Sequence, residues 1–376
     1  MLLRRGTVRP TAGIFAAGIV AFTLGIFAGA SNAAAQPCTV TLKADGNTAA
    51  VQRAMEKAGK RTPVVCLKPG IYKGARLLAT RSVVVKRVGK GKVVFDAGER
   101  GRVFTVIDKD VDATLKGITL TNGIADEGGA VAVLRDSKLT LEDCWITDNR
   151  ATGKGGAVHV GAGLAVLIRT RINRNDAPRA GAVHVGTGAR LVLAHSIITD
   201  NRNQGGANAP IYLTPGANVE IHNSTIAYNH AHGVFMRPAV DGKRSSLLIE
   251  SSVIMGGSHS VHVPRREAQM VEVYRSVLHG KTGFIPLDLQ SSRKLPVFNL
   301  TDVERYRPAM GSPAIGLGRC RRFGRKDVAG KPRAMPTCTA GALEALPKDV
   351  KKTIAERKRV RKVKAKERKA DEAFNW

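Results

Sequence analysis

Aromatic residues are scarce in this chain of 376 residues, and glycine is abundant. Phe, Trp and Tyr make up 5% of the sequence, whereas glycine occurs 40 times; its usual share in proteins is about 7%. Apolar residues still make up 43%, which provides a sizeable core and excludes a fully disordered or collagen-like chain. This composition favours many short strands joined by tight turns over a helical enzyme.

Acidic residues are also few. The 30 Asp and Glu residues are opposed by 60 Lys and Arg residues, so the net charge is +30 at pH 7. A field of this sign favours polyanions such as acidic polysaccharide, lipopolysaccharide, anionic lipid or nucleic acid. Composition leaves the choice among these open.

The sequence has no apolar run of the roughly 20 residues that span a bilayer. Its longest run, from Ile14 to Ala28, contains about 15 residues, follows three arginines and precedes three alanines at positions 33–35. This order is typical of a signal peptide cleaved after Ala35, and a signal anchor is the alternative. We therefore expect an exported protein, in the periplasm, at the cell surface or secreted, with a net charge of +27 after cleavage.

Metal-binding spacings are missing as well. The sequence contains no CxxC and no HxxxH, so we expect no zinc, and we expect no other metal or cofactor. An oxidising compartment permits disulfides. The grouping of the cysteines at the two ends of the chain predicts the bridges Cys38–Cys66 and Cys320–Cys338, with Cys144 free and buried.

The middle of the chain repeats. The pattern Ile-x-x-Asn recurs at Asn149, Asn175, Asn201 and Asn229, which are 26, 26 and 28 residues apart, with a weaker copy at Asn122. A second marker, Gly-Gly-Ala-Val or Ala-Gly-Ala-Val, starts at positions 128, 155 and 180. Short alternating segments separate the markers, and the absence of helical periodicity excludes tetratricopeptide and ankyrin arrays.

This spacing predicts an all-β fold, a right-handed parallel β-helix in which one repeat makes one coil. Equivalent residues of successive coils then stack in columns. We expect the asparagines to form one axial row, each with a left-handed backbone and an amide bonded to the next asparagine.

The two markers resemble the GGA(I/L/V) and FxxN repeats of polymorphic outer-membrane proteins, with Ile in place of Phe. More broadly, the chain resembles the pectin-lyase-like β-helix superfamily, because residues 47–55 and 64–72 are similar to its N-terminal capping helix and first PGxY strand. Residues 312–316, 327–333 and 341–344 resemble the choice-of-anchor Q region that closes many exported β-helices. The resemblance covers residues 45–345 and implies a fold rather than a function.

The chain is thus expected to have five parts. They are a signal peptide (1–35), an N-terminal cap (36–63), a β-helix of seven or eight coils (64–290), a closing region (291–346) and a basic tail (347–376). The cap is expected to contain an amphipathic helix from Thr48 to about Ala58, N-capped by Asn47.

The tail is expected to be helical or disordered. Lys348–Lys369 contains 12 Lys and Arg residues and three acids. We expect it to attract the protein to an anionic surface or polymer, and a purely solubilising tail is the alternative. Because export removes the protein from DNA, we expect no nucleic-acid partner, and we expect a monomer.

One pair of columns carries alternating charge. The residues before the asparagines are Asp148, Arg174 and Asp200, and those after them are Arg150, Asp176 and Arg202. Stacked coils place opposite charges above one another, which predicts a surface ion-pair ladder rather than a catalytic site.

A second column consists mainly of ring side chains: His159, His184, Tyr212, Phe235 and His262. Apolar residues flank each of them, so strand alternation points the rings outward. Such a stripe can bind sugar rings by stacking and hydrogen bonds. Simple stacking of the rings on one another is the alternative.

A third set suggests possible catalysis. Asp143, Arg169, His195 and Asn223 lie six residues before successive asparagines, and Arg171 is nearby. A polysaccharide lyase needs a base beside a uronate carboxylate and cations that neutralise it, and these residues supply both. We expect binding of an anionic polysaccharide or envelope glycan, with a lyase acting on a uronate polymer as the alternative.

Overall fold

The computed structural model describes most of the chain after the predicted signal peptide. The described ranges are 36–44, 48–57, 61–205, 209–229, 232–285, 287–299, 306–319, 326–333 and 337–374. The compact unit discussed below begins at Cys38. No helix among these ranges is long and apolar enough to cross a membrane.

Most strands belong to three long parallel sheets, A, B and C. Sheet A contains Val40–Leu42, Val64–Leu67, Val83–Arg87, Asp112–Lys116, Ser137–Glu142, Gly163–Ile168, Arg190–Ala194, Asn218–His222, Ser246–Glu250 and Val271–Tyr274. Sheet B contains Gly70–Lys73, Val93–Asp96, Ile118–Thr121, Trp145–Thr147, Arg171–Asn173, Ile197–Thr199, Thr225–Ala227, Val253–His259 and Val277–Lys281. Sheet C contains Leu77–Ala79, Phe104–Val106, Val131–Val133, Val158–Val160, Val183–Val185, Ile211–Leu213, Val234–Met236 and Val261–His262.

The remaining elements are short or lie outside the stack. A fourth parallel sheet contains Ile124–Glu127, Arg150–Lys154, Asp176–Ala177 and Arg202–Asn203. Two antiparallel pairs join Phe298–Asn299 to Arg307–Pro308 and Gly318–Arg319 to Thr337–Cys338. The helical elements are α1 (Ala49–Glu56), a 3₁₀ helix (Arg265–Met270) and α2 (Pro347–Phe374).

The chain passes through sheets A, B and C in turn and then repeats this course. Each strand pairs in parallel with its counterpart one repeat away, for example Val158 with Val183 and Ile172 with Ile198. The all-β fold, a parallel β-helix, is therefore confirmed. The three sheets have 10, 9 and 8 strands within the described residues, which gives about nine coils rather than the expected seven or eight.

Apolar side chains from all three sheets fill the interior. Val65, Phe104, Leu141 and Ile146 are among the fully buried residues of one continuous core. Strand alternation explains this, since every second residue of a half-buried strand points inward.

The asparagines form the predicted axial row. Each Nδ2 donates to the Oδ1 of the next coil: Asn149 to Asn175 at 2.9 Å, Asn175 to Asn201 at 3.0 Å and Asn201 to Asn229 at 3.0 Å. The expected left-handed backbone was wrong by one residue, because it occurs at Asp148, Arg174, Asp200 and Tyr228. The weaker copy Asn122 does have the left-handed backbone, with φ of 55°. It is out of register with the row, since Gly123 takes the position whose N–H donates to Asn149.

A second buried ladder runs through the turn between sheets A and B. The backbone N–H of Thr170 donates to Ser196 Oγ at 3.0 Å, that of Ser196 to Ser224 Oγ at 3.1 Å, and that of Ser224 to Ser252 Oγ at 3.1 Å. Cys144 takes the equivalent position before Thr170, and its Sγ contacts the carbonyls of Leu115 and Glu142. Burial raises the pKa of the Cys144 thiol to about 12, so this free cysteine is unreactive at neutral pH.

The Gly-Gly-Ala-Val marker has a geometric cause. The first glycine has a left-handed backbone, with φ of +66° at Gly128 and +70° at Gly155. The second glycine leaves no room for a side chain, because a Cβ on Gly156 would lie 2.4 Å from the carbonyl oxygen of Gly181. Ala180 takes the first position in the third copy at a φ of 54°.

The N-terminal end of the stack is capped as expected. Val51 and Met55 of α1 are buried in the core. Asn47, the expected N-cap, lies outside the described residues; Thr48 precedes the helix, and its hydroxyl donates to the carbonyl of Gly74 at 3.1 Å. The disulfide Cys38–Cys66 is present, as predicted, and joins the segment just before the first strand of sheet A to the second strand.

Only one cysteine of the second predicted disulfide lies within the described residues. Cys338 is disulfide-bonded, whereas Cys320 lies outside the described residues. Cys144 is free, as predicted.

The closing region packs on the outer face of sheet B. Ala342 N–H donates to Thr225 Oγ1 at 2.9 Å, and Gly341 N–H donates to the Ser251 carbonyl at 2.8 Å. A small apolar cluster of Ile197, Ala227, Val253, Phe298 and Val328 fills this contact. The face is therefore covered along its C-terminal coils.

Helix α2 is attached to the closing region near its start. Thr353 Oγ1 accepts a hydrogen bond from Gly311 N–H at 3.0 Å, and Arg357 donates to the carbonyls of Ile315 and Ser312. The basic tail is thus helical, one of its two expected states.

Candidate functional site

The ring column forms a continuous stack. Ring centroids are 5.0 Å apart for His159 and His184, 5.8 Å for His184 and Tyr212, 5.1 Å for Tyr212 and Phe235, and 4.6 Å for Phe235 and His262. All four pairs have nearly parallel ring planes, so the rings contact one another along the outside of sheet C.

Most of this stack is covered. His159, His184 and Tyr212 are only 4%, 2% and 6% exposed. The alternation of apolar residues had predicted an exposed stripe at these positions. Phe235 and His262 are half-buried. A sugar ring therefore has access to the last two rings of the column only.

Burial also keeps two of the imidazoles neutral. It lowers the pKa of His159 to about 4, against the attraction of the Glu127 carboxylate, and the pKa of His184 to about 2. The His159 Nε2 lies 3.1 Å from Glu127 Oε2, and its Nδ1 lies 3.1 Å from His184 Nδ1. These rings do not titrate near neutral pH, contrary to what their residue type suggests.

The fold separates the possible catalytic residues Asp143, Arg169 and His195. Arg169 forms a salt bridge with Asp143, with 2.7 Å between Nε and Oδ1, and a second, short one with Glu142. His195, by contrast, is fully buried. An imidazole at this depth is not exposed to a polymer bound at the surface.

The charged columns form only part of the predicted ladder. Arg174 binds Asp148 through two hydrogen bonds of 2.8 and 2.7 Å. Asp200 instead accepts a hydrogen bond from the Tyr306 hydroxyl at 2.7 Å. In the other column, Asp176 accepts one from Gln204 at 2.7 Å, and the described residues show no salt bridge from it to Arg150 or Arg202.

The outer face of sheet B carries an open groove beside the closing region. Trp145 and Arg171 occupy equivalent outward positions in neighbouring strands, whereas Ile197, one coil further on, is covered by the closing region. Val328 and Tyr306 of that region form walls of the groove. We call this surface the Trp145 groove.

Two cavities meet in this groove. The larger, of about 660 Å³, has equal numbers of acids and arginines, and the smaller, of about 200 Å³, has four cations and one acid. The charged residues of the larger cavity are Asp148, Arg171, Arg174, Asp176, Asp200 and Arg202. Those of the smaller cavity are Arg87, Lys92, Asp143, Arg169 and Arg171. Trp145 and Arg171 line both cavities, and the smaller one has an excess of positive charge.

Arg171 is the one cation that lines both cavities. It is half-buried, and burial lowers the pKa of its guanidinium, which the carboxylate of Asp327 partly opposes. Within the described residues it forms no salt bridge and donates no side-chain hydrogen bond. Because a partly desolvated cation without a directly paired carboxylate is unfavourable, this position suits an anionic ligand.

Trp145 provides an aromatic surface beside that cation. Its indole Nε1 donates a short hydrogen bond to Asn173 Oδ1, and Lys92 Nζ lies 5.4 Å from its ring. Sequence reasoning placed Arg169, Arg171 and Asp143 near one another but missed Trp145, Lys92 and Arg87. The available signal was a tryptophan at an outward strand position in a chain with only two.

Comparison with known proteins supports the fold. Residues 104–285 match the family described as right handed beta helix region. A comparison with curated proteins finds no match for the chain. The structure and this match together identify the stack as a right-handed parallel β-helix.

Proposed function

We propose that the protein is an exported β-helix that binds an anionic polysaccharide or envelope glycan in the Trp145 groove. The observation that carries the proposal is Arg171, a half-buried guanidinium without a salt bridge among the described residues, next to an indole ring. A guanidinium can bind a uronate carboxylate through two parallel hydrogen bonds. An indole face can stack on the sugar ring that carries it.

Export and the cell envelope as its destination rest on the sequence of residues 1–35 and on the resemblance to exported β-helix proteins. The excess of cations in the smaller cavity favours an acidic over a neutral polymer. The lyase alternative has less support, since His195 is fully buried and Asp143 is bound to Arg169.

The groove is tested with a panel of polygalacturonate, alginate and neutral dextran in isothermal titration calorimetry. We expect the two uronate polymers to bind and dextran not to bind. Arg171→Ala should weaken uronate binding about tenfold or more, equivalent to about 1.4 kcal/mol, because the carboxylate loses its bidentate partner. Arg171→Lys should restore only part of the affinity, since an ammonium lacks the planar fork.

Arg244→Ala is the matched control, because Arg244 is exposed and lines neither cavity. It removes the same charge and should leave affinity unchanged at moderate salt. If Arg171→Ala binds as tightly as the natural protein, the groove is not the binding site. If the absorbance of an unsaturated product increases with time, the protein is a lyase rather than a binding protein.

The basic tail should supply the salt-sensitive part of the attraction. Truncation after Lys358 removes seven Lys and Arg residues and three acids but leaves Thr353 and Arg357 on the closing region. We expect weaker binding to both uronate polymers and a flatter dependence of log Kd on salt concentration, because screening length falls from about 30 Å at 0.01 M to about 8 Å at 0.15 M salt.

Phe235→Ala tests the second expected contact in the same assay. Phe235 is a half-buried ring of the stack, so its loss should alter preference among polymers and leave the salt slope unchanged.

For the tail, a truncation after Lys358 that changes neither affinity nor salt slope would show that the tail is only solubilising.

A further inference from the structure

Three histidines meet where the ring column ends. His262 ends the last strand of sheet C, His259 ends the sheet B strand Val253–His259, and His232 lies in the turn before Val234–Met236, one coil earlier. One nitrogen from each ring can be chosen so that all three lie within 4.8 Å of one another. Within the described residues, no other group of three His, Cys, Asp or Glu side chains meets this criterion.

Ring stacking alone does not explain the geometry of the cluster. The ring of His232 lies nearly parallel to that of His262, with centroids 5.3 Å apart and an interplanar angle of 27°. The His259 ring is turned across both, at 72° to His232 and 81° to His262. Two rings therefore continue the column, and the third is directed at them edge on.

A hydroxyl holds two of the rings in place. Ser258 Oγ lies 2.8 Å from His232 Nδ1 and 3.3 Å from His259 Nδ1. A serine oxygen has two lone pairs and can accept from both N–H groups, which leaves the other nitrogen of each ring with a free lone pair. Outer hydrogen bonds of this kind orient histidine ligands at metal sites.

The spacing requires only a small adjustment for metal binding. Zn–N bonds of about 2.0–2.1 Å in a tetrahedral site place neighbouring ligand nitrogens about 3.3 Å apart. Rotation of half-buried imidazoles can shorten the present spacing to that value, because all three side chains lie at the surface of the stack. Neutral imidazole suits zinc, copper and nickel.

We propose that His232, His259 and His262 form a binding site for a divalent transition-metal ion such as Zn²⁺, with solvent as a fourth ligand. The ion would join two successive coils, since His232 belongs to one coil and the other two ligands to the next. It would thereby strengthen the C-terminal end of the stack. The site shares no residue with the Trp145 groove and does not depend on the proposed function.

The test uses the full chain without a histidine tag, treated with EDTA and then dialysed. Calorimetric titration with ZnCl₂ should give one ion per chain, and Co²⁺ should give the visible absorption of a tetrahedral nitrogen site. A saturating amount of Zn²⁺ should raise the melting temperature, because the ion binds the folded chain, in which the three imidazoles meet, more tightly than the unfolded one. Titration that shows no stoichiometric binding overturns the proposal.

Matched variants locate the site. His232→Ala and His259→Ala should each lower Zn²⁺ affinity at least tenfold and abolish the increase in melting temperature. Ser258→Ala should retain all three ligands and weaken binding less. His279→Ala is the control, because His279 is outside the cluster.

Circular dichroism before titration establishes that each variant is folded. Equal binding by His232→Ala and the natural chain, or an equal loss in His279→Ala, contradicts the assignment.

Discussion

Asn175→Ala is expected to lower the free energy of unfolding by about 4 kcal/mol or more, the sum over several buried polar groups at about 1–3 kcal/mol each. The Asn175 side chain is fully buried and donates to the carbonyls of Ile146 and Asn173 and to Asn201 Oδ1. Its own Oδ1 accepts from the backbone N–H and the Nδ2 of Asn149. Alanine leaves the backbone N–H of Asn149 buried without this acceptor. It also removes one hydrogen bond from each of the other partners, although Asn201 Oδ1 and Asn149 Nδ2 keep further bonds in the ladder.

Urea denaturation followed by circular dichroism measures this effect. Asn218→Ala is the matched control, since Asn218 is exposed and its side chain makes one weak and one surface hydrogen bond. We expect its cost to be below about 1 kcal/mol. Equal stability losses in the two variants would show that the ladder contributes no more than a surface asparagine.

The repeat alone predicted the coils and their columns. Because equivalent residues of a β-helix stack, a spacing of 26–28 residues fixes which asparagines bond and which rings contact one another. The ladder of Thr170, Ser196, Ser224 and Ser252 could have been found in the same way, since its members are 26, 28 and 28 residues apart.

The left-handed turn position was harder to identify. Asparagine tolerates that backbone, and its recurrence drew attention to the wrong residue. The structure puts Asp, Arg and Tyr there, at Asp148, Arg174 and Tyr228. Because these side chains are chemically different, their residue types do not indicate that they share a backbone conformation.

The accessibility of the candidate site could not be predicted from the repeats. Alternation tells which way a side chain points, but not whether a distant segment covers it. Ile197 and Val253 are outward residues of sheet B that become buried under the closing region, whereas Trp145 stays at the groove. This boundary depends on packing between segments more than 100 residues apart, such as Ala342 on Thr225.

The natural chain is expected to lose stability as the pH falls from 7 to 5, with His159 and His184 as a main cause. Their pKa values in the folded chain are lowered by burial to about 4 and about 2, from an ordinary value of 6.5. Below pH 6.5 the unfolded chain therefore takes up protons that the folded chain does not, which favours unfolding. The stabilising effect is complete above pH 6.5 and is lost progressively below it.

The double variant His159→Phe/His184→Phe isolates this contribution. Phenylalanine keeps a ring at each position of the stack with Tyr212, and Glu127 keeps its salt bridge with Lys154 at 2.8 Å. At about 1.4 kcal/mol per pH unit for each histidine, the natural chain should lose about 4 kcal/mol more than the variant between pH 7 and pH 5. Urea denaturation at pH 7, 6 and 5 measures both slopes, and the comparison cancels groups common to the two proteins. Parallel slopes would mean that these imidazoles take up protons in the folded chain as readily as in the unfolded one.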